Sequence, residues 1–244
     1  MARRGAAQLE AIATVLDTLG EYLRSSRPQG ALRDEAAQIV VFGSCALALY
    51  ARPDGRSAIR TTRDVDVVSV VTPLALLQSR LAAMCQAGVL VPHHEILCRY
   101  TIRRTGTVVD VVDLQGRTTG AADPWLERAV KHSGVYPLGE GVEVRAVTPP
   151  FFLATKLTAF IERGPDEMSA DAEDIVTLAV EVQDLAAQVS LAGIADEVRE
   201  LWGRARERFD LSTVSDLVDY HIHPLEVEHL DRVRETLTGL AGER

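Results

Sequence analysis

The feature that most constrains this fold is a change of apolar periodicity near residue 147. Between Gln38 and Val147, apolar residues come in short β-branched runs: Gln38 to Phe42, Asp64 to Val71, Ile96 to Arg103, Thr107 to Leu114 and Val142 to Val147. Runs of this length bounded by Gly, Pro or polar clusters predict strands. The turn Arg104-Thr105-Gly106 predicts a hairpin between Ile96–Arg103 and Thr107–Leu114. Thr148-Pro149-Pro150 then reads as a helix start, because proline is tolerated in a first turn. Beyond it, helical spacing predicts Phe151–Glu162, Asp171–Val189, Ile194–Arg208 and Leu225–Leu240. Two helices flank the earlier strands, over residues 7–24 and Pro73–Ala87, the latter stopping before Gly88. The expectation is an α+β chain: a mixed sheet with flanking helices over residues 1–147, then a helical domain over 148–244.

Composition narrows the class. The chain has 244 residues, 47% of them hydrophobic, enough to bury a core. Its three cysteines, Cys45, Cys85 and Cys98, share no ligand or framework spacing, which favours a reducing compartment. Glu10 and Asp17 interrupt the N-terminal apolar pattern, so no signal-peptide core is present, and no run is long enough to span a bilayer. The expected setting is cytoplasmic, without a membrane partner. A formal net charge of -9 argues against general nucleic-acid binding. Residues 50 to 120 nevertheless carry nine arginines against six carboxylates, so a local basic surface is compatible with the sequence, as are scattered solvated arginines.

The chemistry concentrates in Gln38 to Val71. Side chains alternate along a strand, so Asp64 and Asp66 share one face, with Arg60 and Thr62 if the strand begins early enough. Val65 and Val67 then point to the core. Two like charges on one face repel unless a cation neutralises them, and Mg²⁺ takes oxygen ligands from one or two carboxylates plus phosphates. The plain alternative is a solvent-facing edge that carries two aspartates. Gly43-Ser44 ends the preceding strand and opens a short helix, where free N–H groups favour an anion; Ser44 as a simple cap is compatible with the same position. A third carboxylate should come from Thr107–Leu114. Asp110 and Asp113 have opposite parity, and Asp110, central in the valine run, is the preferred metal ligand. Lys156 lies among Phe151, Phe152, Leu153, Leu157 and Phe160, where it either snorkels to solvent or meets an anion. His93, His94 and Cys98 lack zinc-site spacing, His221 and His223 read as a helix boundary beside Pro224, and Trp125 and Trp202 read as core or interface.

The segments GSCALALY, RTTRDVDVV and VVDVV resemble the polymerase-β-type nucleotidyltransferase superfamily. PPFFLATKLTAFIERG and SADAEDIVTLA resemble, within it, the AbiEii/AbiGii-type enzymes, which include toxins of type IV toxin–antitoxin systems and the MenT-like toxins. The likeness spans roughly residues 38 to 180 by eye. It implies a nucleotidyltransferase fold and an NTP-dependent, pyrophosphate-releasing transferase. Gly43 and Ser44 match the nucleotide-phosphate loop, with Arg60 and Thr62 beside it. Asp64 and Asp66 match the metal-binding pair and Asp110 the third acidic residue. Lys156 matches a lysine that contacts the triphosphate, and Asp174 a late acidic residue, so the helical domain is expected to contribute both to the cleft. The implied cofactor is Mg²⁺ with an NTP co-substrate, the acceptor tRNA, and the protein partner a cognate antitoxin. Antibiotic- or protein-modifying transferases, or a non-catalytic partner-binding module of the same fold, are the alternatives. The gap from Ser44 to Asp64 is longer than the family's compact motif, so the loop from Ala51 to Thr61 reads as an insertion.

Overall fold

The computed structural model describes residues 4–25, 39–51, 59, 62, 64–70, 74–114, 124–139, 142–163, 170–209 and 230–242. Expectations on Arg60, His221, His223, Pro224, residues 225–229 and most of the 51–61 loop lie outside them. The chain divides into two compact units, residues 1–49 with 61–147 and residues 50–60 with 148–244. The expected single break near residue 147 thus has a counterpart, but Tyr50, Ala51 and Ile59 go with the helical unit.

The first unit is a mixed sheet with helices, so the chain is α+β. Its strands are β1 (Ile39–Phe42), β2 (Asp64–Ser69), β3 (Leu90–Pro92), β4 (Arg99–Ile102), β5 (Val108–Asp113), β6 (Gly134–Gly139) and β7 (Val142–Ala146). They lie in the order β3-β4-β5-β2-β1-β7-β6. β2 runs parallel to β5 and antiparallel to β1, and β4 and β5 form the expected hairpin. The valines decide this placement. Val65, Val67, Val109 and Val111 are buried on one face, and Val68 and Val112 on the other. A strand covered on both faces is the normal setting for such continuous β-branched runs.

Helix α1 (Arg4–Ser25) buries Gln8, Ile12, Val15 and Leu19, a one-sided stripe, and packs on β2. A 3₁₀ turn (Ser44–Ala46) leads into α2 (Leu47–Tyr50). Helix α3 (Leu74–Gln86) buries Leu77, Leu81 and Met84. It ends where Gly88 N–H donates to the Cys85 carbonyl and Val89 N–H to the Met84 carbonyl, with Gly88 at φ 72°. That left-handed cap is why the helix stops where the glycine stands. Three elements escaped the sequence reading. β3 is short and carries Pro92, β6 contains Pro137 and an irregular register against β7, and helix α4 (Leu126–Lys131) is short. β3 and α4 fall below the length at which periodicity is informative, and in β6 Pro137 and two glycines break the apolar pattern.

The helical unit comprises α5 (Pro149–Arg163), α6 (Ala170–Glu181), α7 (Leu185–Leu191), α8 (Ala195–Phe209) and α9 (Leu230–Ala241). Helix α5 packs against α6, α7 and α8, and it is buried nearly all round, as a central helix must be. Trp202 on α8 is buried. The helix expected over Asp171–Val189 is instead two. Asp184 takes the left-handed conformation at φ 54°, which breaks the helical path between Glu181 and Leu185. No Gly or Pro marks that break, so the pattern reads through it. No helix among the described residues is long and apolar enough to cross a membrane.

Candidate metal centre

The sheet register assembles the acidic site. Phe42 pairs with Asp66, Asp66 with Asp110, and Asp110 with Arg99, so one row crosses β1, β2, β5 and β4. Paired residues on neighbouring strands project to the same face, and Asp64, two residues before Asp66, joins them. Asp64, Asp66 and Asp110 each offer an oxygen within 4.8 Å of the others. This is the one such group of three His, Cys, Asp or Glu side chains found among the described residues. Asp113 lies buried at the strand end opposite Ser69 and stays out of the cluster, as its parity requires.

Gly43 explains the spacing between the Gly-Ser turn and the aspartates. It stands at φ 67°, ψ -171°, a conformation essentially confined to glycine. A Cβ there would lie 2.0 Å from Asp66 Oδ2. The backbone therefore approaches the carboxylate closely only because the side chain is missing. Ser44, next in the chain, is buried at the start of the 3₁₀ turn, whose first bond runs from Ala46 N–H to the Gly43 carbonyl. Thr62 meets Asp64: its Oγ1 donates to Asp64 Oδ1 at 2.6 Å.

The sequence reading missed Arg99. Its Nε donates to Asp110 Oδ1 at 2.8 Å, and its Nη2 to Asp110 Oδ2 at 2.7 Å and Asp64 Oδ2 at 2.6 Å. The side chain is 29% exposed, against 27% for Asp64 and 13% for Asp110. A bidentate guanidinium–carboxylate fork is the strongest common form of this contact. The hydrogen bond to Asp110, helped by the negative charge of all three aspartates, holds the Arg99 guanidinium above its ordinary range despite burial. Three carboxylates face one guanidinium, so the four side chains sum to two negative charges. An all-oxygen donor set of this size can hold a metal ion, and its chemistry suits a hard divalent cation.

The neighbouring Cys98 thiol is buried, and burial followed by the Asp110 charge pushes it up. His93 Nδ1 accepts from the N–H groups of Glu95 and Ile96, and its ring stacks on His94. Those histidines shape a turn.

In the helical unit, Lys156 meets anions of its own. Its Nζ lies 2.7 Å from Asp174 Oδ2 and 2.9 Å from Asp171 Oδ1, and Arg163 Nη1 lies 3.0 Å from Asp171 Oδ2. Lys156, Asp171 and Asp174 are buried. Burial alone would push the Lys156 ammonium down, but the attraction of Asp174 and Asp171 outweighs it and holds the group above its usual value. Of the residues expected to act, Asp64, Asp66, Asp110 and Gly43 thus come together in the sheet unit. Lys156 and Asp174 come together in the helical unit.

Compared with known proteins, the chain matches no family model and no curated protein.

Proposed function

We propose that the chain is an NTP-dependent nucleotidyltransferase, moving an NMP to a hydroxyl acceptor and releasing pyrophosphate. The observation that carries this reading is the registered Asp66–Asp110 pair, with Asp64 beside it and the bare backbone of Gly43 against Asp66. Asp64, Asp66 and Asp110 would hold Mg²⁺, which takes oxygen ligands from carboxylates and substrate phosphates. Bound there, it would offset the charge on the transferring phosphoryl group. The Gly43 backbone and Ser44 hydroxyl would receive the β- and γ-phosphates. Asp110 would orient the acceptor hydroxyl and take its proton as the hydroxyl oxygen bonds to the α-phosphorus and pyrophosphate departs. The acceptor and setting rest on the resemblance: tRNA, for a toxin of a type IV toxin–antitoxin system with a cognate antitoxin.

Incubation with each labelled NTP and Mg²⁺, offered total tRNA, protein or aminoglycosides, tests the reading. Label should pass to one acceptor class with wild type and drop at least about a hundredfold with Asp64→Asn or Asp66→Asn. Equal, background-level labelling by all three proteins sinks the enzyme reading. A second reading, a non-catalytic partner-binding module, draws on the Arg99 fork, which satisfies Asp64 and Asp110 without a metal. Calorimetry separates the two: no Mg²⁺-dependent binding of any NTP favours the module.

A further inference from the structure

Arg99 stands where a cation bridging two of the carboxylates would stand. Its Nη2 lies between Asp64 Oδ2 at 2.6 Å and Asp110 Oδ2 at 2.7 Å. Asp110 has given its other oxygen to Nε, and Asp64 has given its other oxygen to Thr62. Every oxygen of these two carboxylates therefore already accepts a hydrogen bond from within the protein. The fork is also set by the fold, because Arg99 pairs with Asp110 in the β4–β5 register. A metal ion that binds through Asp64 and Asp110 therefore meets oxygens that the guanidinium already contacts, and the two positive charges repel at that distance.

We infer that Arg99 is an internal counter-cation that competes with the divalent metal for Asp64 and Asp110, so that metal loading requires the guanidinium to withdraw from the bridging position. The inference rests on the reading of the three aspartates as a metal centre and adds its regulation. Two states follow. In one, the fork is closed and Arg99 offsets one of the carboxylate charges. In the other, the fork is open and the carboxylates face the metal. The apparent metal dissociation constant is then the intrinsic one divided by the fraction of open fork. If the fork is open a tenth of the time or less, removing it tightens metal binding by about tenfold or more. Lysine keeps the charge but cannot form the planar fork, so Arg99→Lys should fall between wild type and Arg99→Ala.

Mn²⁺ serves as the probe, with the unbound ion read by electron paramagnetic resonance on the full chain. Circular dichroism checks that each variant is folded. Arg99→Ala should bind Mn²⁺ at least about tenfold more tightly than wild type. Arg103→Ala, which removes a charge from an exposed side chain outside the cluster, should bind as wild type does. Guanidinium ion at sub-denaturing concentration should weaken Mn²⁺ binding by Arg99→Ala more than NaCl at equal ionic strength does. A merely structural arginine would show no such reversal. If Arg99→Ala binds no more tightly than wild type while Asp66→Asn has lost the ion, the competition is overturned and the metal centre stands. If wild type, Arg99→Ala and Asp66→Asn all leave Mn²⁺ free, the competition and the metal centre fall together. Should Arg99→Ala not fold, Arg99→Lys carries the same comparison, and equality with wild type overturns the proposal.

Discussion

Replacing Lys156 by methionine should cost the helical unit about 3–5 kcal/mol, because it strands two carboxylates in a nearly dry interior. Asp171 and Asp174 are each 1% exposed, and Lys156 Nζ reaches them at 2.9 and 2.7 Å. At an effective dielectric of about 20, each contact is a gross attraction of roughly 6 kcal/mol. Desolvating three charges offsets much of that, which is why the intact cluster is a weak source of net stability. Its removal is not weak, since methionine fills the space but leaves the anions. Asp171 retains Arg163 at 3.0 Å, so Asp174 bears the larger part of the loss. Urea unfolding followed by helical circular dichroism reads the effect. Adding Asp174→Asn to Lys156→Met should recover part of the loss, because one stranded charge disappears; independent sites would add instead. A Lys156→Met protein within about 1 kcal/mol of wild type refutes the reasoning. If that stable variant had also lost nucleotide transfer, Lys156 would belong to substrate binding, as the family resemblance implies.

Two further predictions concern the same pair of sites. Gly43→Ala should cost about 1–3 kcal/mol from backbone strain and should also weaken Mn²⁺ binding at least about tenfold, because its Cβ must push Asp66 aside. Gly106→Ala is the control: φ is 75°, nothing lies within 4 Å of its Cβ, and thermal melts should show the strain while Mn²⁺ titration shows no change. The pH dependence follows from the raised Lys156 group. A folded value above the unfolded one means the ammonium's contribution is complete below the ordinary lysine value of 10.5 and is lost as pH rises through the folded value. Wild-type unfolding free energy should therefore fall more steeply than that of Lys156→Met in urea titrations above about pH 10.5, and parallel alkaline limbs would contradict the assignment.

How much of this was legible depended on sequence distance. The Asp64-Val65-Asp66 face follows from strand parity alone, which is local and exact once the strand is recognised. The preference for Asp110 over Asp113 also came from parity, and the register then set Asp110 beside Asp66. The helix break at Asp184 was not legible, because a left-handed aspartate leaves no gap in the apolar pattern. Nor did spacing reveal that Asp171 shares Lys156 with Asp174; one turn of α6 separates the two carboxylates, but the helix packing decides which cation they meet.

Arg99 is the instructive case, because the signal for it was one residue out. Counting outward from a turn at Arg104-Thr105-Gly106 pairs Arg103 with Thr107 and sets Tyr100 opposite Asp110; the hairpin instead closes at Ile102 and Thr107, and that one-residue shift brings Arg99 to Asp110. The arginine was instead counted as one of nine in a basic stretch, where its charge could be noticed but its partner could not. Net charge describes a field, whereas a hairpin register names the atoms that touch. The three aspartates looked, from the sequence, like a site that needs a metal to be tolerable. The hairpin adds that the chain carries a cation of its own for them, on the strand that the third aspartate pairs with. The resting state of the cluster is thus an ion pair, and on the proposed reading a strand pair that supplies both a ligand and its competitor would make metal binding an exchange of cations rather than the filling of a vacant acidic pocket.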